Sequence, residues 1–252
     1  MRAFALVILT VLLIAGQTSA QEVDKDGFYS EPFLVLDPGM HTAAIYALDA
    51  DATGHFIVTG SYDKTVRVWS ADNGRLLRTI RVPAGPGRIG EVFSVAISPD
   101  GNQIAAGGPI GVDPSVNLFL FDRTTGHQIG RIGPFPSAIN ELAFSLDGSR
   151  IAAAFGASQS SAWGLRLYEA KNLTQIAATD YVGASYGITF DHAGRIATTN
   201  ADGKLRLYGP TLHQEAVAVL GGDPFGIAFS PDGSRIVVGY DRPQIDLLDG
   251  KP

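Results

Sequence analysis

Cysteine is absent from all 252 residues, which excludes a thiol nucleophile, a thiolate zinc site and a disulfide framework together. Charge is sparse, at 17% of residues with a net charge of −6, and Lys and Arg form no stripe. Binding to nucleic acid needs clustered cations to neutralise phosphate, so no nucleic-acid partner is expected. Histidine is also scarce. His41, His55, His127, His192 and His213 stand far apart, four of them in turn-like stretches, so neither a metal nor a cofactor site is expected. Beyond the first twenty residues no apolar run approaches the roughly 20 residues of a membrane span. What is abundant is glycine (30) and proline (14), alongside 45% apolar residues. A chain of this size buries roughly 70–75% of its unfolded surface and needs no covalent or metal staple.

Residues 1–20 read as a separate signal peptide. Arg2 precedes a run from Ala3 to Ala15 interrupted only by Thr10, and Thr18-Ser19-Ala20 supplies small residues before Gln21. The run is shorter than a membrane anchor requires. With no cysteine behind it, no lipid anchor is expected. The expectation is therefore an exported bacterial protein, periplasmic or extracellular, whose folded domain covers residues 21–252 without a membrane span.

The rest of the chain repeats itself. Val95-Ala96-Ile97-Ser98-Pro99-Asp100-Gly101 and Ile227-Ala228-Phe229-Ser230-Pro231-Asp232-Gly233 are the clearest copies, and the stretch from Leu142 to Gly148 is a third. Looser copies run from Ile188 to Gly194 and from Leu48 to Gly54. The closing glycines are Gly54, Gly101, Gly148, Gly194 and Gly233, spaced by 47, 47, 46 and 39 residues. Alternation before each turn places one side of a strand against a neighbour. Pro-Asp-Gly is turn chemistry, because proline presets φ and glycine accepts a positive one. Small or branched residues follow, as in Ile104-Ala105-Ala106, and then a third strand such as Leu205-Arg206-Leu207-Tyr208. Outer strands are predicted at Leu76–Val82, Gln128–Ile132, Thr174–Ala178 and Glu215–Leu220, and a further one upstream at Phe33–Leu36.

These residues resemble the WD-repeat family over about Phe33 to Asp249. The resemblance implies an all-β fold: a β-propeller of five four-stranded blades. Within the family the chain resembles the propeller portion of exported bacterial proteins, some of which carry a caspase-like domain. The first repeat matches best. His41, Thr59, Asp63 and Trp69 resemble the family's structural hydrogen-bond tetrad, although Met40 intrudes before the histidine and Ser70 replaces the usual Asp. The same His, Asp and Thr could be taken for a catalytic triad, but the resemblance implies a structural role. The fourth repeat keeps Thr198, Asp202 and Tyr208 without a histidine.

Two arrangements satisfy the strand count. Either Phe33–Leu36 completes the last blade and five blades close, or these are repeats of a larger ring. Long stretches at residues 83–90, 107–114 and 156–163 fall on one rim, where a rigid scaffold collects binding residues. Trp163, Arg88, Tyr186, Phe225 and Tyr240 are the candidates for partner contact there. The family implies a non-catalytic platform for a protein or peptide partner. The alternatives are a propeller enzyme of lactonase or quinone-dependent dehydrogenase type, or a periplasmic peptide-binding scaffold.

Overall fold

The computed structural model describes residues 37–109, 116–156 and 163–250. These residues form nineteen strands, and no helix occurs among them. The first blade is β1 (Ile45–Ala50), β2 (Phe56–Ser61), β3 (Thr65–Ser70) and β4 (Leu76–Arg81). The second is β5 (Ser94–Ile97), β6 (Gln103–Gly107), β7 (Val116–Asp122) and β8 (Gln128–Phe135). The third is β9 (Ile139–Phe144), β10 (Arg150–Phe155), β11 (Gly164–Glu169) and β12 (Gln175–Asp180). The fourth is β13 (Ser185–Phe190), β14 (Ile196–Asn200), β15 (Lys204–Tyr208) and β16 (Gln214–Val219). The fifth is β17 (Pro224–Phe229), β18 (Arg235–Tyr240) and β19 (Ile245–Asp249), three strands among the described residues. Phe33–Leu36, expected to supply its fourth strand, lies outside the described residues, as do residues 1–20.

Every blade is an antiparallel meander in chain order. The inner strands β1, β5, β9, β13 and β17 pack each on the next, which makes the five-bladed β-propeller. Among the described residues no strand of the first blade packs on the fifth to a comparable extent.

The repeated motif works through one hydroxyl. In the second, third and fifth blades the serine accepts the backbone N–H five residues on, each at 2.9 Å: Gln103 to Ser98, Arg150 to Ser145, Arg235 to Ser230. Each serine in turn donates to the aspartate two residues later at 2.5 Å. The glycine that closes the turn sits at φ +71°, +70° and +67° in these three blades, a region that costs other residues energy. In the two looser copies an aspartate takes over the serine's role. Asp51 accepts from Phe56 N–H at 2.6 Å and Asp191 from Arg195 N–H at 2.8 Å. The hairpin therefore survives the change of sequence because the replacement still presents an acceptor to the same N–H.

The apolar core is divided into four, one between each pair of consecutive blades. Val58, Val66 and Val68 of the first blade pack on Val95, Ile97, Ile104 and Phe121 of the second. Leu118 and Leu120 meet Leu142, Phe144 and Ile151, and Leu165 and Leu167 meet Ile188, Phe190 and Ile196. Leu205 and Leu207 meet Ile236 and Val238. Burial at about 25 cal/mol per Å² of apolar surface makes these joints the main stabilising term. The three middle blades are each sandwiched between two neighbours, as in other stacked repeats, while the first and fifth are each packed on one side.

Candidate functional site

The inner strands begin irregularly, and the irregularity builds a site. In β1, Ile45 faces Ser61 and Ala47 faces Gly60, which leaves Tyr46 as an extra residue. The same slip leaves Asn140 extra in β9 and Tyr186 extra in β13. In β17 the register slips between Pro224 and Ile227, around Phe225. A bulge re-aims the side chain of its extra residue. Phe93, just ahead of β5, holds the equivalent place, its N–H donating to Gly107 O at 2.9 Å. Five equivalent positions, four of them aromatic, thereby line one cavity of about 570 Å³ together with Tyr62, Arg88 and Glu141.

Two aromatic stacks make up its walls. Tyr46 and Tyr62 stack with ring centres 5.1 Å apart, and Phe93 leans on both at 5.7 and 5.4 Å. The Arg88 guanidinium stands 5.3 Å from the Phe93 ring centre and is steadied by Glu91 at 3.0 Å. Tyr186 and Phe225 stack at 4.6 Å. Phe225 is held through its carbonyl, which accepts from Thr199 Oγ1 at 2.7 Å. Asn140 is spent on structure, donating to Gly156 O at 2.7 Å and Ser185 O at 2.9 Å, and so ties the third blade to the fourth.

Glu141 lies deeper, between this cavity and one of about 270 Å³ that also borders Asp49. Burial pushes its carboxyl up to about 8, the neighbouring Asp49 adding to the shift, while Ser94 Oγ at 3.5 Å offsets little of it. Burial raises Asp49 as well, against opposing hydrogen bonds from the Ile97 and Ala50 N–H groups. At neutral pH Glu141 is mostly protonated and can donate a hydrogen bond. Flat aromatic faces, one guanidinium and a neutral carboxyl suit the stacking and hydrogen bonding of a peptide segment. A larger depression of about 650 Å³ on the opposite rim is walled by turn residues such as Asp100 and Asp147, whose oxygens the turns already occupy.

Of the rim residues singled out from sequence, Arg88, Tyr186 and Phe225 come together in the cavity. Trp163 and Tyr240 do not line it. Trp163 is half-buried over Gly156, where a Cβ would stand 2.5 Å from its Cδ1. Tyr240 donates its hydroxyl to Asp246 and faces Arg242 at 5.7 Å, within the fifth blade. Sequence reasoning passed over Tyr46, Tyr62, Phe93 and Glu141. The signal for two of them was available, since Tyr46 and Phe93 stand, like Tyr186 and Phe225, two residues before the first apolar residue of a repeat.

The first blade brings His41, Thr59, Asp63 and Trp69 into one chain of hydrogen bonds. Trp69 Nε1–H donates to Thr59 Oγ1 at 2.8 Å, and Thr59 lies 2.7 Å from His41 Nε2. His41 Nδ1 meets Asp63 at 2.8 Å. The hydrogen-bond network assigns a proton to Nδ1, donated to Asp63, with Thr59 donating to Nε2. Asp63 also accepts from Thr42 N–H, Thr65 N–H and Thr65 Oγ1 at 3.0, 3.1 and 2.6 Å. Burial acts to raise its carboxyl, but the bonds from Thr65, Thr42 and His41 together hold it below the usual range. The His41 and Asp63 side chains are buried, and none of the four residues lines the aromatic cavity. In the fourth blade Asp202 is instead clamped by Arg206 at 2.5 and 3.0 Å. Among the described residues no group of three or more His, Asp or Glu is placed to hold a metal ion.

The WD domain, G-beta repeat family model matches residues 36–70 and 76–119. A β subunit of the guanine nucleotide-binding protein from Zea mays is 28% identical over 141 residues, 52% of this chain and 34% of that one. The small ribosomal subunit protein RACK1y of Oryza sativa is 35% identical over 89 residues, 35% of this chain and 23% of that one. A BOP1 homolog of Monosiga brevicollis, named for ribosome biogenesis, is 41% identical over 61 residues, 24% of this chain and 7% of that one. The chain thus spans at most about a third of the length of these relatives. Among solved structures, the Cps50 (Swd1) β-propeller domain of Myceliophteria thermophila superposes with TM-score 0.66 at 13% identity, covering 83% of this chain and 66% of that one.

These relatives correct one expectation. They are eukaryotic proteins of the ribosome, its biogenesis and G-protein complexes, not exported bacterial ones, so the bacterial periplasmic or extracellular location is withdrawn. A short apolar run followed by small residues is a local compositional feature that does not by itself fix where a protein resides. The described strands form a five-bladed β-propeller whose first two repeats match the WD-repeat family model and whose blades superpose on a solved β-propeller domain.

Proposed function

We propose that this propeller is a non-catalytic interaction platform that takes a peptide segment of a partner protein into the aromatic mouth of its channel. One observation carries the reading: equivalent positions of all five blades converge on a single cavity, and Tyr46, Phe93, Tyr186 and Phe225 occupy four of them. Convergence from every blade is what a scaffold offers a ligand, and stacked aromatics with an adjacent Arg are the residue types that dominate interface energetics. WD-repeat relatives found in ribosomal and G-protein assemblies support a protein partner for this chain too.

A peptide-display selection against the folded chain tests this. Selected peptides should lose about tenfold or more in affinity on Phe225→Ala or Tyr186→Ala, the loss of one aromatic anchor. Leu77→Ala, on the outer strand of the first blade, should leave affinity unchanged. Equal binding by all three variants would place the contact elsewhere.

A further inference from the structure

The fifth blade presents a face that every other blade keeps covered. Val237, Ile245 and Leu247 occupy the repeat positions of Val58, Val66 and Val68, of Ala105, Leu118 and Leu120, of Ala152, Leu165 and Leu167, and of Ala197, Leu205 and Leu207. Those twelve are at most 4% exposed, each set sealed by the next blade, whereas Val237, Ile245 and Leu247 are 38%, 73% and 60% exposed. The glycines agree. A Cβ on Gly60 or Gly107 would stand 2.7 Å from the next blade, and one on Gly187 would stand 2.5 Å from Phe225 O. At the matching Gly239 and Gly226 it would meet nothing within 4 Å. The last blade therefore keeps both the apolar residues and the small ones that admit a neighbouring inner strand. The opposite half of the joint is bare on the first blade, where Leu48, the counterpart of Val95, Leu142 and Ile188, is 72% exposed.

We infer that the bare face of the fifth blade docks on the bare face of the first blade in a second copy of this chain. The occupant follows from continuity. The chain makes this joint with itself four times, and its own first blade carries the receiving half that no other described blade occupies. Such a contact is head-to-tail, because the two surfaces that meet are different ones. It closes into a two-chain ring if the rotation allows and extends into a ladder if it does not.

Light scattering on size-fractionated full chain, with Leu48→Asp and Leu247→Asp, tests this. The wild type should show the mass of two chains or a ladder of multiples. Each variant keeps one intact face and should run as a single chain. Mixed together they should form a complex of two chains that grows no further, since only one joint can be made. Circular dichroism should show the same strand content throughout, and Gly239→Val serves in place of Leu247→Asp should that variant fail to fold. A wild type of single-chain mass at every concentration overturns the inference. So do variants that associate like the wild type, and a mixture that stays at single-chain mass.

Discussion

Replacing Asp63 by alanine should loosen the first blade by an amount its hydrogen bonds allow to be estimated. The carboxylate accepts from His41, Thr42 N–H, Thr65 N–H and Thr65 Oγ1. A bond to a charged acceptor contributes about 1.5–3 kcal/mol when its donor would otherwise be left unpaired. Thr42 is exposed and its N–H can turn to water, so its share is small. His41 is nearly sealed, and Thr65 is buried. One such share each for His41 and Thr65 gives about 3–6 kcal/mol, which for a domain of this size is a fall in melting temperature of about 6–24 °C. The control is Asp72→Ala. That aspartate stands 4.0 Å from His55 with both side chains open to solvent, and its removal should cost almost nothing. The folded Asp63 carboxyl is held low, so its contribution is present above the unfolded value near 3.9 and is lost as the pH falls through the folded one. The gap between wild type and Asp63→Ala should therefore narrow in acid. Calorimetric melts of the three proteins decide the matter. Equal melting of wild type and Asp63→Ala, with partner binding lost, would refute the structural role and return the His41–Asp63–Thr59 relay to chemistry.

Glu141 should show the opposite dependence. Its folded carboxyl is raised to about 8, so between the unfolded value near 4.5 and about 8 the folded chain holds a proton the unfolded chain has lost, and stability falls as pH rises. Glu141→Gln should melt with the wild type at pH below that window and above it at alkaline pH; parallel curves across the range would show that Glu141 is not buried in this way. Gly187→Ala should destabilise by about 1–3 kcal/mol because its Cβ would press on Phe225 O and Thr199 Oγ1. Gly226→Ala, at the same repeat position in the fifth blade, should cost nothing when placed in the single-chain Leu247→Asp background, where thermal melts of both variants give the comparison. A loss as large at Gly226 as at Gly187 would mean that the last blade is already covered within one chain.

The hairpins were legible because their chemistry is local. Ser98, Ser145 and Ser230 each serve an N–H five residues away, and the glycine that follows marks the turn, so repeat length and strand positions could be read directly. The outer strand Gln128–Phe135 runs three residues further than its predicted end at Ile132, since the pairing of Val116 with Phe135 has no signature in alternation. The mouth of the channel was half-legible. Tyr186 and Phe225 could be placed on the rim, and Tyr46 and Phe93 share their repeat position, but the bulge that turns Tyr46 and Tyr186 inward leaves no mark in binary patterning. Trp163 looked like an anchor by size and loop position, yet Gly156 leaves a recess beneath it that only the fold reveals. The bare end was not legible at all. Ile245 and Leu247 differ little from Leu205 and Leu207 as letters, and whether a neighbour covers them is a property of the assembled ring.

The aromatic mouth is the claim on which the functional account stands, and site-specific photocrosslinking addresses it most directly. A benzophenone side chain placed at Tyr186 should join the full-length propeller to a protein partner in extract of its own cells. The same group at Ile176, on the exposed outer strand of the third blade, should not. Crosslinks that arise at Ile176 and not at Tyr186 would contradict the account and move the partner to the outer wall of the blades.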